Sequence, residues 1–169
     1  MEDEHLGDLY SIQRLKARYF RYLDTKAWDQ FRGLFTDDAA FYFSDDSDFH
    51  AGNSGTPKRA TREFSGGDKF VQRVSRILQT AVTVHHGHMP EIEFIGPDRA
   101  TGIWSMNDWV DDFENRYAMQ GYGHYHEKYE KQDDGNWRIS QLRLTRLRTD
   151  MLEATAPAGD RQWPPVWTA

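Results

Sequence analysis

The chain has 169 residues, with 21 Lys and Arg against 27 Asp and Glu for a net charge of -6, no cysteine, and 14% Phe, Trp and Tyr within a hydrophobic share of only 38%. That length makes one domain; the aromatic share argues against disorder, the acidic balance against a basic nucleic-acid-binding face, and the lack of cysteine excludes disulfides, thiolate metal sites and a cysteine nucleophile. No apolar run is long enough to span a bilayer, and the acidic start from Met1 to His5 lacks a secretory apolar core, so the expected compartment is cytoplasmic.

Leu9, Ile12, Leu15, Tyr19, Phe20 and Leu23 recur at three- and four-residue steps, which predicts an amphipathic helix with Asp8 as its N-cap. A second, short helix carries Trp28, Phe31, Leu34 and Phe35, and a short strand is expected from Ala39 to Phe43. From Ser44 to Gly66 the chain is polar, the composition of a lid, a binding loop or disorder. Phe70, Val71, Val74, Ile77 and Leu78 then predict a third helix after Gly66 and Gly67. Val82–Phe94, Ala100–Asp111, Ala118–Lys131 and Trp137–Arg148 have strand composition, with turn signals between them. Helices followed by consecutive long strands describe an α+β domain over residues 1–148, with helices on one face of an antiparallel meander. Residues 149–169 read as a Pro-rich tail whose Trp163 and Trp167 are expected to dock on this subunit or a neighbour.

His85, His86 and His88 form the densest group of chemically useful side chains. Strand alternation puts His85 with Gly87 on one face and His86 with His88 on the other. A two-residue loop at Gly96-Pro97 or Pro97-Asp98 sets His85 opposite Asp108 or Val110, on the face of Trp104, Met106 and Asp108; a three-residue loop or a bulge reverses that parity. The plain alternative for His85 is a hydrogen-bonded sheet histidine. Asp24 closes the first helix, and Tyr19 stands roughly 140° around the helix from it, so the two converge only where the helix end frays or bends. Arg146 lies with Arg143 and Arg148 on the last strand. His124, His126 and Glu130 imitate one metal motif of the cupin barrels, yet that pattern needs a later histidine and none follows position 126. One strand cannot bring His85, His86 and His88 onto one ion, so no metal is expected. The absence of nucleotide and phosphate-loop motifs leads to the same expectation for organic cofactors.

The runs Arg18-Tyr19-Phe20, Leu23 to Asp29, Leu34 to Ala39, Thr83 to His88, Gly123 to Glu127 and Asp134 to Ile139 resemble the SnoaL-like branch of the nuclear-transport-factor-2-like (cystatin-like) superfamily, over roughly Asp8 to Arg148. The resemblance implies a cone-shaped α+β barrel, a curved antiparallel sheet wrapped around N-terminal helices and enclosing an apolar pocket. The motifs are closest to the lyases of that branch: scytalone dehydratase, bile-acid 7α-dehydratase and hexachlorocyclohexane dehydrochlorinase. By that resemblance His85 is a strand base and Asp24 the carboxylate that orients it. Asp108 matches a further catalytic aspartate and Tyr19 a tyrosine of the bile-acid enzyme. Val110 stands where scytalone dehydratase has a second histidine, which argues against scytalone as the substrate.

Elimination suits these residue types, because it needs a base for a carbon-bound proton and an acid or anion site for the leaving group. The expected pocket includes Trp104, Met106, Tyr42, Tyr125 and Arg146. The leading expectation is a cofactor-independent lyase acting on a hydrophobic alicyclic, steroid-like or polyketide-like small molecule. The alternatives are an isomerase or cyclase using Asp108, and a binding module without turnover. A homo-oligomer is expected, a trimer as in the lyases it resembles, with a dimer as the alternative.

Overall fold

The computed structural model describes residues 5–44 and 61–154. Residues 45–60 of the polar stretch, and the tail from 155 with Trp163 and Trp167, lie outside the described residues. The first half runs α1 (Leu6–Asp24), α2 (Trp28–Arg32), β1 (Phe35–Ser44), β2 (Thr61–Ser65) and α3 (Gly67–Ile77). The second half is β3 (Val82–Phe94), β4 (Arg99–Asp112), β5 (Tyr117–Lys131) and β6 (Trp137–Leu152).

The three-and-four spacing of α1 buries Ile12, Leu15, Lys16, Tyr19 and Leu23. Asp8 is not its N-cap. It lies in the first turn, where its carboxylate accepts hydrogen bonds from Lys131 Nζ and Trp137 Nε1, both at 2.8 Å, fastening the helix start to β5 and β6. α2 stops at Arg32, earlier than its apolar pattern suggests, because Leu34 and Phe35 are drawn into the sheet; the Leu34 carbonyl accepts from the Ile139 N–H at 2.8 Å. Gly66, with φ of 96°, makes the tight entry into α3. Phe70 of α3 then stacks on Phe41 of β1 with centroids 3.7 Å apart.

β3 to β6 form the antiparallel meander, and the complete sheet runs β2-β1-β6-β5-β4-β3. β1 joins it parallel to β6, and β2 completes the edge antiparallel to β1. β2 falls in the stretch read as a loop. Thr61 to Ser65 contains one large apolar residue, Phe64, so its strand conformation depends on pairing with β1 rather than on any pattern of its own. β6 extends four residues beyond Arg148, so residues 149–152 belong to the sheet and not to the tail. The result is an α+β domain: helices pack on the inner face of a curved, unclosed sheet. Register shifts in the β3–β4 and β5–β6 pairs bend the strands.

Candidate active site

Asp24 is the last residue of α1, and its carboxylate reaches β3 at three points. Its Oδ1 lies 2.6 Å from His85 Nδ1 and accepts from the Thr83 hydroxyl at 2.9 Å, while Oδ2 accepts from the His85 N–H at 2.9 Å. An ionised carboxylate only accepts, so this contact assigns the ring proton to Nδ1 and leaves the Nε2 lone pair for the cavity. Lys26, left-handed at φ 59°, follows α1 and donates to the Thr83 hydroxyl at 3.1 Å. Burial lowers its ammonium to about 8, against the opposing charge of Asp24.

The β3–β4 hairpin departs twice from regular pairing. Ile95 bonds back to Arg99 across the three residues 96–98, and the register slips between His88 and Glu91, at Met89 and Pro90. Met89 takes φ of 36° there. Either irregularity alone would invert the parity. Together they cancel, and His85 stands opposite Asp108 with Gly87 opposite Met106.

Asp108 is 2% exposed. It receives a two-point ion pair from Arg146: Nη1 to Oδ1 at 2.7 Å and Nη2 to Oδ2 at 2.5 Å. Burial works to lower the Arg146 guanidinium, but Asp108 outweighs it and holds Arg146 above its ordinary value. A slip in β6 leaves Leu147 unpaired between Arg146 and Arg148, placing Arg146 beside Gly123. The guanidinium then crosses Gly121, where a Cβ would overlap both Arg146 Nη1 and Asp108 Oδ1. The sequence reading missed Gly121; its position directly opposite Asp108 was the available signal, but only once the register was known.

A cavity of about 480 Å³ opens over these groups. Tyr19, His85, Asp108, Tyr125 and Arg146 form its polar end. Phe43 and Phe64 of the β1–β2 hairpin, with Phe70, Val74, Ile77 and Leu78 from α3 and its end, line the apolar part. Arg73 adds a cation beside the Phe64 ring. Three expected lining residues lie elsewhere. Trp104 and Met106 are buried in the layer beneath, because the Phe20 ring fills the space over Gly87, within 2.6 Å of where a Cβ would stand. Tyr42 alternates to the opposite face of β1 from Phe41 and Phe43, and Phe43 takes the place in the wall expected for it.

Tyr19 and Tyr125 are each 2% exposed and hydrogen-bonded to one another. Burial first, then the Glu127 charge, raises the Tyr19 phenol; burial and the neighbouring Tyr19 raise Tyr125. Both are therefore protonated donors at neutral pH. Tyr19 reaches the polar end from the interior face of α1, and Asp24 reaches His85 from the helix terminus, so Tyr19 and the Asp24–His85 pair share one cavity without a frayed helix. His86, His88, His124 and His126 stand on the outer sheet face, away from the cavity. There His126 Nε2 lies 3.2 Å from the Thr145 hydroxyl, and burial with His124 and Arg143 nearby lowers the His126 imidazole.

The SnoaL-like domain family matches residues 4–143. A protein of Gibberella zeae named probable cyclase FGR4 is 29% identical over 143 residues, spanning 83% of this chain and 92% of the relative. Among solved structures, a scytalone dehydratase-like protein from Novosphingobium aromaticivorans DSM 12444 superposes with a TM-score of 0.74 at 20% identity, over 96% of this chain and all of its own. A type 2 hexachlorocyclohexane dehydrochlorinase (LinA) superposes with a TM-score of 0.73 at 20% identity, over 94% of this chain and 99% of its own.

Proposed function

The chain belongs to the SnoaL-like domain family, and from that premise we propose that it is a cofactor-independent lyase of the dehydratase type. It removes water or a similar group from a hydrophobic alicyclic, steroid-like or polyketide-like substrate. One observation carries the reading: the His85–Asp24 pair sits in the wall of a mainly apolar cavity. With Nδ1 committed to Asp24, Nε2 takes the proton from a carbon acidified by an adjacent carbonyl. The C–H electron pair becomes the new C=C bond as the β C–O bond breaks. The imidazolium returns its proton to the departing hydroxide, which leaves as water. Asp24 preserves the tautomer and offsets the imidazolium charge, as the aspartate of a hydrolytic triad does. Tyr19 donates to the carbonyl oxygen that gains charge. Arg146, anchored by Asp108, adds positive charge at the same end of the cavity. The names of the relatives, cyclase, dehydratase-like and dehydrochlorinase, support chemistry on a small molecule.

A second reading, an isomerase or cyclase with Asp108 as the shuttling base, is favoured by the relative named a cyclase. Both Asp108 oxygens accept from Arg146, so the lone pairs a shuttling base would use are already engaged, which favours His85. The proposal also includes a homo-oligomer, a trimer first and a dimer second, because the outer sheet face exposes Val84, Ile103, Tyr122 and Leu147.

The test is turnover of a panel of hydrophobic β-hydroxy ketones in heavy water, read by mass spectrometry. Elimination lost in His85→Ala supports the lyase. Turnover that survives His85→Ala and disappears in Asp108→Asn overturns it in favour of the isomerase or cyclase. Ligands bound but unchanged by every variant make the protein a binding module. Activity abolished by a chelator and restored by one metal would overturn the cofactor-independent reading.

A further inference from the structure

Lys16 is wholly buried on the inner side of α1. Its ammonium meets Glu127 Oε1 at 2.5 Å and stands 3.6 Å from the Tyr125 ring centroid, 4.1 Å from that of Tyr19 and 4.8 Å from that of Phe20. Glu127 Oε2 accepts from the Tyr129 hydroxyl at 2.6 Å, which in turn accepts from Trp104 Nε1 at 2.8 Å. Lys16 does not line the cavity, but Tyr19 and Tyr125 do. The charge therefore acts on a ligand through those two rings.

A buried ion pair is a weak source of stability, since apolar residues of equal volume commonly serve as well. Apolar residues cannot, however, place a positive charge against the ring faces. A cation there draws electron density from the phenol and strengthens its O–H as a donor. The need is specific to this site. The phenols face Glu127 from β5, Asp108 from β4 and Asp24 from α1, whose negative charges weaken them as donors, while Arg146 from β6 works in the opposite sense on Tyr125. Burial lowers the Lys16 ammonium to about 8 against the pull of Glu127, which leaves it charged at neutral pH.

We propose that Lys16 is a positioning residue, its ammonium held by Glu127 against Tyr19 and Tyr125 so that this phenol pair favours a ligand oxygen carrying negative charge. The inference rests on reading the cavity as a place where an oxyanion develops, but its test needs no turnover. The probes are 4-nitrophenolate and nitrobenzene, similar rings with and without the anionic oxygen, titrated against the wild type and against Lys16→Met combined with Glu127→Gln, which strands no buried charge. The wild type should prefer the anion, and the double variant should lose that preference by about tenfold while keeping its affinity for nitrobenzene, because the Lys16 charge lying directly against the two ring faces outweighs the opposing Glu127 charge removed with it. An unchanged preference, equal loss of both ligands, or no preference in the wild type overturns the proposal. If the double variant does not fold, tyrosine labelled at 13Cζ is followed from pH 7 to 10 in Lys26→Met protein: Tyr19 and Tyr125 resonances moving together with the Lys16 titration support the proposal, and static ones overturn it. Anion preference that depends on Lys16, with no His85-dependent elimination, would sink the lyase reading alone.

Discussion

Arg146 and Asp108 form a two-point ion pair that occupies the space a side chain at position 121 would need. The pair crosses from β6 to β4 over the intervening strand, so a glycine on β5 is the condition for its existence. Gly121→Ala should separate the pair, cost about 1–3 kcal/mol in stability and reduce turnover. Urea unfolding beside a rate assay checks this; a variant as stable and as active as wild type would show that the pair has another route.

His85→Ala should lower kcat by roughly 10²–10⁴-fold, the usual contribution of a general base. Asp24→Asn should be comparably severe, because an amide can hold the wrong tautomer and cannot offset an imidazolium. Both should keep the thermal unfolding transition cooperative, as neither side chain belongs to the aromatic core. Steady-state kinetics with a melting curve separates lost chemistry from lost fold.

Stability should rise with pH between about 8 and 10 and fall above that. Lys16 and Lys26 are each lowered by burial to about 8 from an ordinary 10.5, so in that window the unfolded chain binds more protons than the folded one, and raising pH favours folding. Above about 10 the sign reverses: Tyr19, Tyr125 and Tyr129 are raised by burial from 10.0, and the folded chain then holds more protons. Urea midpoints across this range test the shape, and Lys26→Met should flatten the rise.

Sedimentation should report a homo-oligomer at micromolar concentration. Leu147→Glu combined with Ile103→Glu, on the outer sheet face, should shift it toward monomer while the helices and core stay intact by circular dichroism. A wild-type monomer would remove oligomerisation from the functional reading.

Much of the architecture was legible because burial periodicity is local. The spacing of Ile12, Leu15, Tyr19 and Leu23 marks the side of α1 that faces the core, and strand composition between turn signals gives the bounds of β3, β4 and β5 to within one residue. Asp24 and His85 could be named from their local motifs, and the structure brings them together. What required the tertiary structure were facts that join distant positions. The parity that aligns His85 with Asp108 depends on a three-residue turn and a bulge whose effects cancel. Phe20, from another element, decides that Trp104 is core rather than cavity wall. β2 exists through its pairing with β1. Lys16 is separated from Glu127 by 111 residues, and on an amphipathic helix a lysine reads as surface until that carboxylate is seen beneath it. Periodicity tells which face of an element turns inward; which side chain then reaches the cavity, and which charge lies behind it, is set by packing between elements far apart in the chain.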